Sequence, residues 1–308
     1  MTVLSADSPS RTRGPGEKPR RRRKWTGWGF VGPFLAVFLF AMVAPVGYAI
    51  YLSLYQNKLI GGNKFAGLAN YTEALKDPQF WSGFERVALF LVIQVPVMLV
   101  LALAVGLAID SARLHWTPLY RISIFLPYAV PAVVGALMWG FLYGNQFGLI
   151  SDLDKWFHTT LPNPLDNTLM LPAIGNIVTW EYIGYNMLIF YSALRVIPGD
   201  LYEAAELDNA SQWRIIWHIK LPALRPAILV ATVFSIIGSF QLFTEPSVLY
   251  FLNKDVIGSA YTPNWYAYSL SFNGQEYNYS ATIAILMGVL TVIVAYVVQR
   301  IGQRKQGA

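Results

Sequence analysis

The 308-residue chain contains no cysteine, which removes disulfide scaffolds, thiolate metal sites and thiol nucleophiles together. Histidine is nearly as scarce. His115, His158 and His218 fall in separate segments with no metal-binding spacing. Charged residues make up 13%, about half the share found in soluble domains. A Gly-x-x-x-x-Gly-Lys-Ser/Thr phosphate loop is also missing, so the chain lacks the usual cradle for ATP. No catalytic residues, no metal site and no cofactor of its own are expected.

Apolar residues fill the space, at 55% of the chain, and mean hydropathy is +0.42. This is the composition of a membrane protein. The net charge of +6 suggests nucleic acid until its position is traced. Of 23 Lys and Arg against 17 Asp and Glu, eight bases and two acids lie in residues 1–24, which leaves fifteen of each for the rest. A neutral, apolar body has no basic face for phosphate, so nucleic acid is excluded as a partner.

The tail 1–24, rich in Pro, Gly, Ser and Arg, cannot bury a core and is expected to be disordered and cytoplasmic. Residues 25–308 form one membrane domain. Six apolar runs, about 30–55, 87–109, 122–143, 171–194, 226–250 and 281–298, are each long enough to cross roughly 30 Å of hydrocarbon. The first is too long for a signal-peptide core and has no small-x-small cleavage site, so it reads as an uncleaved span. The fold class is therefore all-α and polytopic, with lipid as the surrounding partner.

Lys and Arg orient the spans. The tail, the turn 112–121, the segment 195–225 and the C-terminus hold seventeen, and the opposite segments hold six, so both termini are expected in the cytoplasm. Three outer segments, roughly 56–84, 145–170 and 251–280, are rich in aromatic residues and large enough for docking. Pro33, Pro45, Pro96, Pro127 and Pro131 lie inside spans, where kinks survive only if neighbours or cavity water satisfy the freed carbonyls. They suit either a pathway or a bundle of ordinary kinked helices.

Between the fourth and fifth spans, residues 197–222 carry too much charge to enter hydrocarbon yet are patterned for helix. Asp200 with Glu203 resembles a capping pair, Asn209 suits a left-handed stop, and Ser211 can cap a second helix ending before Pro222. Two short helices joined by a bend are predicted. An amphipathic hairpin lying on headgroups, anchored by Trp213 and Trp217, is the plainer reading of the same pattern.

Here the sequence resembles a family. Glu203-Ala204-Ala205, Asp208-Asn209-Ala210 and Ile219-Lys220-Leu221-Pro222, followed by Leu224-Arg225-Pro226, are similar to the EAA loop of binding-protein-dependent ABC importer permeases. Leu194 to Pro198 and Leu201-Tyr202 resemble the carbohydrate-uptake branch, specifically its maltose-type first permease subunit. The resemblance runs from the first span to the sixth. It implies a prokaryotic inner-membrane protein that moves a sugar, a di- or oligosaccharide, by alternating access. Loop 197–222 would hold the coupling helix, with Glu203, Ala204, Ala205, Asp208 and Asn209 at the contact with an ATP-hydrolysing partner. The implied partners are a second six-span permease, two copies of the ATP-binding subunit, which carry ATP and Mg, and an extracytoplasmic solute-binding protein. Asn209 departs from the family's usual Gly but also tolerates positive φ. The family's Gly-rich outer loop after the fifth span is absent.

Charge inside a span is costly and points to a cavity or partner helix, which singles out Glu181 and Glu245. Glu181 lies near Tyr185 and Asn186; Gln241 and Glu245, four apart, are expected on one helical face. Rings, amides and carboxylates suit the apolar faces and hydroxyl rims of sugars. Helix-to-helix bonding or hydration at an interface is the plainer role for both carboxylates. Trp139, Tyr143 and Asn145, near the outer end of the third span, are weaker candidates because Trp and Tyr favour interfaces anyway. Asp110 ends the second span beside Arg113 and reads as a cytoplasmic anchor.

Three other functions suit the sequence less well. A glycerol-phosphate permease would want Lys or Arg in its cavity. A membrane glycosyltransferase would need acidic residues on the donor side, and Asp152-x-Asp154 falls on the outer one. A secondary transporter would carry inverted repeats, and none is evident.

Overall fold

A computed structural model describes residues 25–58, 62–111, 114–144 and 147–304. The basic tail, Arg113, Asn145 and Lys305 lie outside the described residues. The described residues up to Tyr48 form one unit and those from Ala49 onward another. Helix α1 (Trp25–Phe38), a π turn (Leu39–Val43) and α2 (Ala44–Ser53) follow one another. The stretch Gly27–Ser53 is apolar enough to cross a membrane. Trp28, Phe30, Phe34 and Phe40 are exposed along it.

The second unit opens with an antiparallel hairpin, β1 (Tyr55–Lys58) and β2 (Gly62–Phe65), in which Tyr55 faces Phe65 and Gln56 faces Lys64. A short α3 (Ala69–Ala74) leads to α4 (Pro78–Ile109), which begins well before the apolar run at Val87 because Asp77 caps it. One carboxylate oxygen of Asp77 accepts from the Gln79 amide at 2.8 Å. The other accepts from the hydroxyls of Tyr266 and Tyr279 at 2.9 and 2.8 Å.

The third apolar run does not form one straight helix. Helix α5 (Thr117–Phe125) passes into a 3-10 turn (Leu126–Ala129), and α6 (Ala132–Leu142) leaves at 95° to it. Pro131 forces the preceding residue out of the helical region, and Val130 is indeed extended at ψ 132°. The amphipathic α7 (Leu149–Phe157) precedes α8 (Met170–Leu194), which at 25 residues is about 37 Å long. Asn176, Glu181 and Asn186 place polar groups along the middle of α8, and Ile174, Ile177, Met187 and Phe190 on it are fully buried. Other helices rather than lipid surround it.

Helix α9 (Gly199–Leu207) and the single turn α10 (Gln212–Ile215) follow, then a π turn (Ile216–Lys220) and α11 (Leu221–Phe240). The expectation that a helix ends before Pro222 is wrong. Leu221 N–H reaches five residues back to the Ile216 carbonyl, and the widened turn takes up the ring of Pro222. The π turn at Leu39–Val43 stands at the same offset from Pro45. Helix α11 stops at Phe240; α12 (Thr244–Leu249), α13 (Pro263–Phe272) and α14 (Tyr277–Arg304) complete the chain.

Among the described residues, four stretches are long and apolar enough to span: Gly27–Ser53, Pro78–Ile109, Gln212–Leu249 and Tyr277–Arg304, with the bent pair α5 and α6 as a fifth. The core lies where α4, α8 and α11 meet, with Met98 and Ala102 packed against Met187, Phe190 and Ala231. Gly106 lets α4 approach α8 closely, its missing Cβ only 3.5 Å from that of Phe190. The opposite face of α4 (Leu89, Val92, Ile93, Val97, Val100) is exposed and apolar, at the spacing of a stripe that meets hydrocarbon.

Candidate functional site

A cavity of about 360 Å³ lies where α4, α8 and α11 converge with the interrupted segments 126–132 and 241–245. Tyr185, Asn186, Gln241 and Glu245 all line it. The reason differs from the one expected for Gln241 and Glu245. These two do not share a helical face, because the helix ends at Phe240 and restarts at Thr244. The break puts both on the cavity wall.

Glu181 is not on that wall. It is 4% exposed and faces α6, where a Cβ on Gly135 would fall 2.6 Å from its Oε1. A methyl group there would push the carboxylate out of its present position. Its Oε1 has no hydrogen-bond partner among the described residues, and neither does Oδ1 of Asn186. Buried polar atoms without partners are exceptional, and they mark places where water or a ligand hydroxyl would be held. The Asn186 amide nitrogen is occupied, donating to the Tyr182 carbonyl at 3.0 Å.

Trp139 and Tyr143 also lie outside the cavity. The Tyr143 hydroxyl donates to the Ala173 carbonyl at 3.3 Å and accepts from Asn176 at 2.8 Å, clamping α6 to α8. Trp139 packs against Tyr143 and Trp180 at 5.4 and 6.0 Å. Both belong to a packed hydrophobic core rather than to an open surface.

Among the wall residues that sequence reasoning did not single out are Gln94, Tyr128, Tyr182 and Thr244. Gln94, buried in α4, donates to Thr179 at 3.3 Å. Tyr128 stacks on Tyr185 at 5.0 Å and meets Tyr182 edge-on at 5.7 Å. The wall thus offers a cluster of aromatic faces beside amides and a carboxylate, and among the described residues no Lys or Arg lines it. Such a surface can stack on apolar rings and bond their hydroxyl rims.

The second region is the polar segment after α8. Helix α9 buries none of its residues; Glu203, Ala204, Asp208 and Asn209 are exposed and Ala205 is half-buried. Asn209 adopts φ +52°, the left-handed stop its residue type suggested, and Ala210 N–H closes the turn on the Ala205 carbonyl at 2.9 Å. Ser211 caps α10 by accepting from the Arg214 amide at 3.4 Å. The cap of α9 differs from the expected one: Pro198 stands at that position without a side-chain bond, and Asp200 lies in the first turn, where the helix dipole favours an acid. Leu201, Leu207, Trp213 and Trp217 are all exposed around this elbow.

Asp110, at the end of α4, pairs with Lys220. The ammonium lies 2.6 Å from Oδ2, with both side chains about 10% exposed. It also sits 5.6 Å from the ring centre of Tyr202 on α9. Burial, and after it the charge of Asp110, push the Tyr202 hydroxyl above its ordinary pKa. Among the described residues no group of His, Asp and Glu is arranged to hold a metal ion.

Comparison with known proteins bears on both regions. A sequence model described as "Binding-protein-dependent transport system inner membrane component" matches residues 87–307. The lactose transport system permease protein of Rhizobium radiobacter is 29% identical over 284 residues, 88% of this chain and 91% of that protein. The diacetylchitobiose uptake system permease protein of Streptomyces coelicolor is 28% identical over 320 residues, 96% and 90% of the two chains. Among solved structures, a bacterial ABC transporter involved in the import of the acidic polysaccharide alginate superposes with a TM-score of 0.80 at 18% identity, over 91% of this chain and 96% of that one. A second structure of a bacterial alginate ABC transporter, in complex with alginate pentasaccharide-bound periplasmic protein, gives 0.80 at 17% identity over 92% and 95%.

Proposed function

The chain belongs to the family of binding-protein-dependent transport system inner membrane components, and on that premise we propose that it is the permease subunit of an ABC importer that takes up a neutral di- or oligosaccharide. The family's members are transport subunits, so the chain moves its substrate without covalent chemistry. The polar helices 199–215 form the coupling element, with Glu203, Ala204, Ala205, Asp208 and Asn209 against an ATP-binding partner present in two copies. A second six-span permease completes the pathway, and α8 serves as this chain's fourth span. A solute-binding protein delivers the sugar to the outer loops, and both termini are cytoplasmic. ATP and Mg belong to the partner.

One observation carries this reading. The elbow at Asn209 leads into a helix that runs from Gln212 through the π turn and α11 to the cavity wall. Motion that passes the elbow therefore has a continuous helical path from Gln212 to Phe240, next to Gln241. The cavity supports a sugar for the same reason that it disfavours a glycerol phosphate: rings, amides and a carboxylate line it, and among the described residues no cation does. Relatives that transport lactose and diacetylchitobiose support the same substrate class.

Reconstituted vesicles test both ends. Glu203→Lys should leave the complex assembled and ATP hydrolysis running while uptake falls about tenfold or more, the scale of a broken site-to-site coupling. Normal uptake in that variant would remove α9 from the coupling contact. Gln241→Ala and Glu245→Ala should alter uptake without loss of subunit association. Unchanged affinity and rate would remove both from the substrate site.

A further inference from the structure

Helix α9 buries none of its own side chains, and the left-handed residue Asn209 separates it from the next helix. A displacement of α9 could be lost at that bend unless something ties it to the bundle. Lys220 is the tie. Its ammonium holds the carboxylate of Asp110 at 2.6 Å and faces the ring of Tyr202 at 5.6 Å, so one buried charge joins α9, the end of α4 and the root of α11. Asp110 and Lys220 stand 110 residues apart, and the pair is shielded from water on both sides. Shielding strengthens the attraction and makes either charge costly to strand. The π turn has a part in this. Its extra residue per turn ends at Lys220, the one buried side chain of a stretch whose Trp217 and His218 are exposed.

We infer that Lys220, Asp110 and Tyr202 form a latch that carries motion of the surface helix α9 into α4 and α11, two of the three long helices that wall the cavity. The inference rests on the importer reading and adds to it three positioning residues, none of which touches substrate or nucleotide. Without the ion pair, α9 would still bind its partner and the partner would still hydrolyse ATP. The cavity would no longer respond.

The absence of cysteine gives a clean probe. Gly238 lies on the cavity wall with nothing within 4 Å of an added Cβ, so Gly238→Cys places one thiol there. In the complex purified with its own ATP-hydrolysing partner, the rate at which a maleimide labels that thiol should change when ATP and vanadate are added. Lys220→Met in this background should reduce that change at least about fivefold, the lower end of typical coupling strengths, while ATP hydrolysis persists. Lys220→Arg and the exchanged pair Lys220→Asp with Asp110→Lys should recover most of it. Because Lys220→Met strands a buried carboxylate, Lys220→Met with Asp110→Leu is made as well. This double variant removes both charges, should assemble normally and should still be uncoupled. A full labelling response in the double variant would refute the latch. If the otherwise unaltered Gly238→Cys complex contains no ATP-hydrolysing partner or shows no response to ATP, the importer reading fails first and the latch with it.

Discussion

Gly184 is a point of backbone-to-backbone contact between α8 and the end of α5. A Cβ there would lie 2.7 Å from Cα of Phe125 and closer still to the Ile124 carbonyl oxygen. Main chain cannot rotate aside as a side chain can. Gly184→Ala should therefore lower stability in detergent by about 1–3 kcal/mol, the usual range for overpacking, and Gly238→Ala, with open space around it, should not. Equal melting temperatures for the two variants would contradict the packing. The tyrosines of the segment after α12 make a second residue-scale prediction. Burial pushes Tyr261 up to about 12, against the pull of Arg86, and raises Tyr266 as well, with help from the hydrogen bond and charge of Asp77. A folded pKa above the unfolded value favours the protonated native state. Their contribution is thus complete below about pH 10, the ordinary tyrosine value, and is lost as pH climbs toward the folded values. Thermal unfolding should be flat from neutral pH to about 9 and decline above about 10, and Tyr261→Phe with Tyr266→Phe should lessen the decline. An identical alkaline profile in the double variant would exclude these hydroxyls. At this scale the sequence was partly legible. A polar group in an apolar run is a signal, and it found Tyr185, Asn186, Gln241 and Glu245. The same signal was present at Gln94, the one amide in its run, and was passed over. Glu181 carried the signal too, but which face of α8 meets the cavity depends on how α6 packs.

Elements were legible where a local rule decides them. Asn209 reads as a stop because its residue type visits positive φ, and it does so at +52°. Pro222 reads as a stop by an equally local rule, and that rule fails because a π turn absorbs the ring. The break after Phe240 has a signal that was passed over: Gln241-Leu242-Phe243 contains neither Pro nor Gly, but Pro246 cannot donate to the Leu242 carbonyl and its ring crowds that oxygen, so it fits only the first turn of a new helix. The bend gives the element-scale prediction. In the Gly238→Cys background, Asn209→Gly should preserve both the labelling response of the cavity thiol and the folded yield, since glycine takes positive φ freely. Asn209→Val should cost about 1–2 kcal/mol of local backbone strain, the penalty for a side chain in the left-handed region, and should weaken the coupling of ATP hydrolysis to cavity labelling. A valine variant that behaves like the glycine one would mean that the left-handed turn is not needed for transmission.

At the scale of the whole molecule, the sequence reads as six apolar runs with a bias of seventeen to six in Lys and Arg; among the described residues four stretches, or five with the bent pair, are long and apolar enough to span, and α8 is not one of them. The runs and the bias each depend only on summed composition, and neither requires knowing which helices touch. What they assert about sidedness is open to direct measurement, again because the chain contains no cysteine. Gly199 begins the exposed α9 and Gly258 lies beyond α12; neither has an atom within 4 Å of an added Cβ. Between them runs the stretch Gln212–Leu249, long and apolar enough for one crossing. An odd number of crossings must separate the two positions if the loop 197–222 meets an ATP-hydrolysing partner inside the cell. A membrane-impermeant maleimide should therefore label Gly258→Cys in right-side-out vesicles and Gly199→Cys only in inverted ones. The interrupted helix at 241–243 is the weak link, because a re-entrant turn there would return the chain to its starting side. In that case both thiols would react from one face, and the path from coupling helix to substrate would have to be redrawn through α4 alone.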